Sequence, residues 1–148
     1  MVRVMASGVF DLLHIGHLHF LEAARDLGDE LVVVVATDET VRKRKHEPIF
    51  DEEMRAGLVS ALKPVDRAVV GHTGDPYIIV EELKPDIIAL GYDQDNQEDS
   101  ICSELGSRGI ECRVVRLGKF DGDLNGTRKI IKLVLDRRDE LYKRSGEE

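Results

Sequence analysis

At 148 residues the chain fits one domain with a single hydrophobic core, long enough to fold without a disulfide or metal staple. Its 29 acidic residues against 21 Lys and Arg leave a net charge of −8, which repels a nucleic-acid backbone and argues against DNA or RNA as a partner. No apolar run approaches the roughly 20 residues of a membrane span, and no basic, apolar leader opens the sequence, so the expected compartment is the cytoplasm, away from membranes.

In chain order, "VRVMASG" is the first apolar stretch, followed by "GVFDLLHIGH" and a helical pattern carried by Leu18, Leu21 and Ala24. "LVVVVAT", Leu31 to Thr37, is apolar without alternation, as a strand buried on both faces requires. Then comes "RKRK", Arg42 to Lys45, which reads either as a solvated helix end or as a seat for a small polyanion such as a nucleoside triphosphate. Met54, Leu58, Ala61 and Leu62 predict the apolar face of a second helix, stopped at Pro64. "RAVVG", Arg67 to Gly71, is a third strand; Pro76 opens a short helix through Leu83 and Pro85 closes it. "DIIALG" (Asp86 to Gly91) and "CRVVRLG" (Cys112 to Gly118) follow, and Ile130, Ile131, Val134, Leu135 and Leu141 mark a C-terminal helix. Cys102 and Cys112 match neither a CxxC pair nor a zinc spacing and read as reduced thiols.

Strands and helices alternating in single file predict an α/β fold: a doubly wound, Rossmann-like, five-stranded parallel sheet, one domain over residues 1–148. Such sheets bind ligands beyond the carboxyl ends of their strands, where strand order reverses. That rule gathers residues 7–17, 37–46, 91–97 and 118–128.

The first of these loops lacks a GxGxxG fingerprint. It offers Gly8, the amides of Val9 and Phe10, and a helix start near Gly16, where unpaired N–H groups suit a phosphate. His14 and His17 lie about one turn apart, with Gly16 between them. An HxxH pair is half a metal site, or a structural pair, or two phosphate donors; the strand–loop–helix setting favours the last.

"GVFDLLHIGH" resembles the GxFDxxHxGH signature of the HxGH nucleotidyltransferase superfamily, in its cytidylyltransferase-like branch, and the resemblance spans essentially the whole chain. "ATDETVRKRK", "EEMRAGLVSALKPVDRAVVG" and "LKPDIIALGYDQ" are most similar to the archaeal FAD synthases of that branch. The resemblance implies that an acceptor phosphate attacks the α-phosphorus of a nucleoside triphosphate and pyrophosphate leaves, with His14 and His17 as catalytic donors. It implies nucleotide contacts from Val9, Phe10, His14, Ile15, Gly16 and His17. The basic run, represented by Lys43, and Asp93, Thr127 and Arg128 complete that set. Asp93 reads equally as a turn aspartate. The implied partners are ATP (or CTP) and FMN, with a divalent cation, Mg²⁺, and a homodimer as the assembly. No general base is required, because a phosphate monoester with its second pKa near roughly 6 is largely dianionic at neutral pH.

The branch carries an RTxGISTT motif before its last helix, where this chain has "KFDGDLNGTRKII". The leading arginine is gone and Asp121 and Asp123 stand nearby, which favours an acceptor other than glycerol 3-phosphate. Arg55 reads as reaching the acceptor or the surface, and Phe120 as a platform for a planar ring or a rim aromatic. The alternatives to an FAD synthase are a CTP-dependent cytidylyltransferase acting on glycerol 3-phosphate or a similar phosphorylated alcohol, and a nucleotide-binding module without catalysis.

Overall fold

A computed structural model describes residues 1–122 and 126–145. Its elements are β1 (Arg3–Gly8), α1 (Ile15–Arg25), β2 (Glu30–Val35), α2 (Asp38–Arg44), α3 (Glu52–Ser60), β3 (Arg67–Val70), α4 (Ile78–Leu83), β4 (Ile87–Leu90), α5 (Glu98–Ser107), β5 (Arg113–Arg116), α6 (Thr127–Asp136) and α7 (Arg138–Ser145). The strands form one parallel sheet in the order β3-β2-β1-β4-β5. The expected doubly wound, Rossmann-like fold is the one observed.

The unbroken apolar run of β2 is explained by its place between β1 and β3: Leu31 to Val35 are all buried. Alternate side chains of β1 and β2 feed two cores. Val4, Ala6, Leu31, Val33 and Val35 meet Leu21 and Ala24 of α1 and Val59 of α3 on one face. Met5, Val32 and Val34 meet Ile79, Val80 and Leu83 of α4 and Ile101 and Leu105 of α5 on the other. The progression of strand order reverses between β1 and β4, so the loops that follow these two strands flank the switch point.

Three expectations are corrected. The apolar stripe of α3 is rotated: Met54 and Leu58 are exposed, and the buried side chains are Arg55 and Val59. Arg55 can be buried because its guanidinium is satisfied by three backbone carbonyls and Asp38. The C-terminal helix is two, α6 and α7, divided at Arg137, and α6 buries none of its residues. The α5 helix, missing from the sequence-based elements, is amphipathic only through Ile101 and Leu105, too sparse a pattern to stand out. No helix of the described residues is long and apolar enough to cross a membrane.

Candidate active site

The loop from β1 to α1 is built under constraint. Phe10 and Leu12 both have left-handed backbone, φ 55° and 52°, which costs a side-chain-bearing residue on the order of 1–3 kcal/mol. The ring of Phe10 is buried and folds back on Gly8, where a Cβ would stand 2.9 Å from it. Gly8 is needed for that contact. Between the two strained residues, Asp11 is buried and its carboxylate accepts the amides of Ile49 (2.6 Å) and Phe50 (3.0 Å). The segment after α2 is thereby fastened under the loop.

Arg55 completes the fastening. It is fully buried and donates to the carbonyls of Val9 (2.9 Å), Ala36 (2.8 Å) and Phe50 (2.9 Å) and to Asp38 Oδ1 (2.7 Å). Arg55 is therefore neither an acceptor contact nor a surface residue; it ties the ends of β1 and β2 to α2 and α3. Sequence reasoning could not see this, because an arginine on a helix is usually solvated.

His14 is the N-cap of α1 and His17 its third residue, and the two form a capping box made of imidazoles. Gly16 N donates to His14 Nδ1 at 3.0 Å, and His14 N donates to His17 Nδ1 at 3.3 Å. A ring nitrogen that accepts an N–H carries no proton, so in each neutral imidazole the proton sits on Nε2. The rings stack with centroids 3.8 Å apart, and the edge of Phe10 meets His17 at 5.4 Å. Burial lowers the pKa of both histidines. For His17 it falls to about 4, through burial first, then the neighbouring His14 and the charge of Lys45, with Asp11 acting the other way. At neutral pH the site presents two uncharged Nε2–H donors at a helix N-terminus.

The basic run is sorted by its partners. Arg42 pairs with Glu47 (3.0 Å) and Lys43 with Glu39 (3.0 Å), both on the exposed side of α2. Lys45, the C-cap of α2, is the member whose charge reaches His17. The other expected contacts are more spread. Ile15 is the exposed first residue of α1, and Val9 contributes its carbonyl to Arg55 rather than to open space. Asp93 is exposed within the turn Gly91 to Gln94, a turn aspartate beside the switch point. Thr127 opens α6 after Gly126, with no side-chain cap, and Arg128 is exposed beside it. Asp123 lies outside the described residues. Phe120 is a rim aromatic: it stacks on His19 of α1 with centroids 3.8 Å apart, while Lys119 Nζ stands 5.7 Å from the centre of the Tyr92 ring. The segment after β5 thus touches both α1 and the loop after β4.

The chain is similar to known proteins along most of its length. Residues 5–142 match the cytidylyltransferase-like family. The chain belongs to that family. An FAD synthase of Aciduliprofundum boonei is 61% identical over 143 residues, covering 96% of each chain. An FAD synthase of Thermoplasma volcanium is 51% identical over 142 residues, 96% of this chain and 100% of that one. Among solved structures, a lipopolysaccharide core biosynthesis protein from Thermoplasma volcanium superposes with a TM-score of 0.81 at 55% identity, over 82% of this chain and 99% of that one. The protein is a nucleotidyltransferase of this family.

Proposed function

We propose that the protein is an FAD synthase that transfers AMP from ATP to FMN. The observation that carries the reaction type is the pair of Nε2–H donors fixed at the start of α1. Phosphate oxygens that gain charge in the transition state take such donors without any reorganisation of the protein. A terminal phosphate oxygen of FMN attacks the α-phosphorus of ATP. The bond from that phosphorus to the α,β-bridging oxygen breaks, and pyrophosphate carries the electron pair away.

His14 and His17 hold the α-phosphate, with the amides at the start of α1, Ile15 and Gly16 among them, and the backbone of Val9 and Phe10 shaping the cradle. Lys45 is the cation of the basic run nearest this point, and it takes the role first given to Lys43. Asp93 faces the nucleoside, and Thr127 and Arg128 receive a phosphate at the start of α6. The acceptor assignment is supported by high identity to proteins that are FAD synthases.

The cation is Mg²⁺, whose chemistry here is to neutralise the triphosphate. Among the described residues no three His, Cys, Asp or Glu side chains gather to hold a metal ion. A homodimer in the cytoplasm is the working form in this reading.

The test is a product assay in which FMN, riboflavin and glycerol 3-phosphate are each offered with ATP or CTP. FAD from FMN and ATP alone supports the reading. CDP-glycerol without FAD makes the protein a cytidylyltransferase, and no product from any pair leaves a nucleotide-binding module.

A further inference from the structure

Arg116 is the last residue of β5, and its guanidinium is spent on one loop. Nη1 donates to the carbonyls of Gly91 (2.8 Å) and Gln94 (3.0 Å), and Nη2 donates to the carbonyl of Asn96. Glu98 Oε1, at the start of α5, accepts from Nε (3.0 Å) and Nη2 (2.6 Å) and holds the fork in plane. From the other side, Gln94 Oε1 accepts the amide of Gly91 (2.6 Å) and its Nε2 donates to the carbonyl of Ser7 in β1 (3.3 Å). The loop after β4 is therefore tied across the switch point, to β1 by Gln94 and to β5 by Arg116.

We propose that Arg116 is a positioning residue for the nucleotide, setting the conformation of residues 91–97 through their carbonyls and thereby the preference for one base. The inference rests on the reading that this loop faces the nucleoside. Tyr92, Asp93, Asp95, Asn96 and Gln97 are all exposed, so burial does not hold the loop in shape. Hydrogen bonds must. A loop that reads a base with backbone groups discriminates only if those groups are fixed, and a planar fork of five donors fixes several carbonyls at once. A lysine at the same position supplies a point charge and cannot span them. Arg116 points its donors at the loop, not at substrate, so it acts through the loop and is not a catalytic residue.

The experiment is equilibrium titration of ATP and CTP, without acceptor, into the full-length protein, its R116Q and R116K variants, and E98Q, followed by steady-state kinetics with FMN. The expected result for R116Q is ATP affinity weakened about tenfold, the scale of one lost charge-assisted hydrogen bond, with a narrowed ATP:CTP ratio. KM for ATP should rise in parallel while kcat stays within about twofold, because removing uniform binding leaves the chemical step unchanged. R116K should fall between, and E98Q should shift the same way by less. E98Q keeps the idea testable should R116Q not fold. Unchanged nucleotide affinity and base preference in folded R116Q and E98Q would overturn the inference. So would a loss of kcat with KM unmoved. Since binding is read without FMN, a wild-type protein that makes no FAD would sink the proposed function and leave the role of Arg116 still decided by the titration.

Discussion

His14 and His17 each give up Nδ1 to a backbone amide of one helical turn, which leaves both Nε2–H groups as the donors and stacks the rings 3.8 Å apart. Gln and Asn separate these two nitrogens chemically. A glutamine amide reaches toward the position of Nε2, and an asparagine amide toward that of Nδ1. His14→Ala or His17→Ala should lower kcat by about 10²–10³, the loss for one preorganised transition-state donor. The Gln variants should retain more turnover than the Asn variants at either position, measured as single-turnover rates on folded protein. The reverse order would assign catalysis to Nδ1.

The lowered histidine pKa values set an expectation for pH. With His17 lowered to about 4, its ring stays largely uncharged between pH 5 and 8, and burial lowers His14 as well. The acid limb of kcat/KM for FMN, near roughly pH 6, is then not that of His17 and should belong to the acceptor's own phosphate. Exchanging FMN for its phosphonate analogue, whose second ionisation is weaker, should move that limb upward. A limb that stays fixed would point to the protein.

The same shift appears in stability. His17 binds its proton at about 4 when folded and near 6.5 when unfolded, so the unfolded chain takes up more protons between those values. Stability from this group is complete above about pH 6.5 and is lost as pH falls toward 4. Thermal unfolding of wild type and His17→Gln should show a difference that changes across this window and is flat above it. Parallel curves from pH 4 to 8 would contradict the burial of the ring.

Lys43 and Lys45 should part company. Lys43 already pairs with Glu39 in the open, where an ion pair is worth about 1 kcal/mol or less. Lys43→Ala should leave KM for ATP within about twofold. Lys45→Ala should raise it several-fold, because that charge lies near the imidazoles. Equal effects at both positions would return the run to a diffuse field.

Arg55→Met tests the brace. It removes the buried partner of Asp38 and donors to the carbonyls of Val9, Ala36 and Phe50. Breaking a buried pair by deleting one member costs about 3–5 kcal/mol, visible in chemical denaturation. A variant within about 1 kcal/mol of wild type would mean those carbonyls find water at little cost.

Much of this architecture is legible before any coordinates. The unbroken Leu31 to Val35 run reads as a central strand because burial on both faces removes alternation, and β2 occupies such a position. The place of His14 and His17 is legible because an apolar strand before them and a helical pattern after them mark a helix start, and α1 opens between them. What stays hidden is polar and long-range. Arg55 is buried by partners contributed from three separate stretches of chain, and the half-buried Arg116 is held by carbonyls of the loop after β4. Nothing in a hydrophobic pattern marks an arginine whose solvent has been replaced by carbonyl groups. Lys45 is likewise hidden, because only the fold brings its charge near His17.

The most direct measurement of the central claim follows oxygen. FMN carrying ¹⁸O in its phosphate is incubated with unlabelled ATP, Mg²⁺ and the protein, and FAD and pyrophosphate are weighed by mass spectrometry. Attack by the FMN phosphate on the α-phosphorus predicts FAD that keeps all of the label and pyrophosphate that has none. Label in pyrophosphate, FAD that has lost label, or no FAD at all would contradict it.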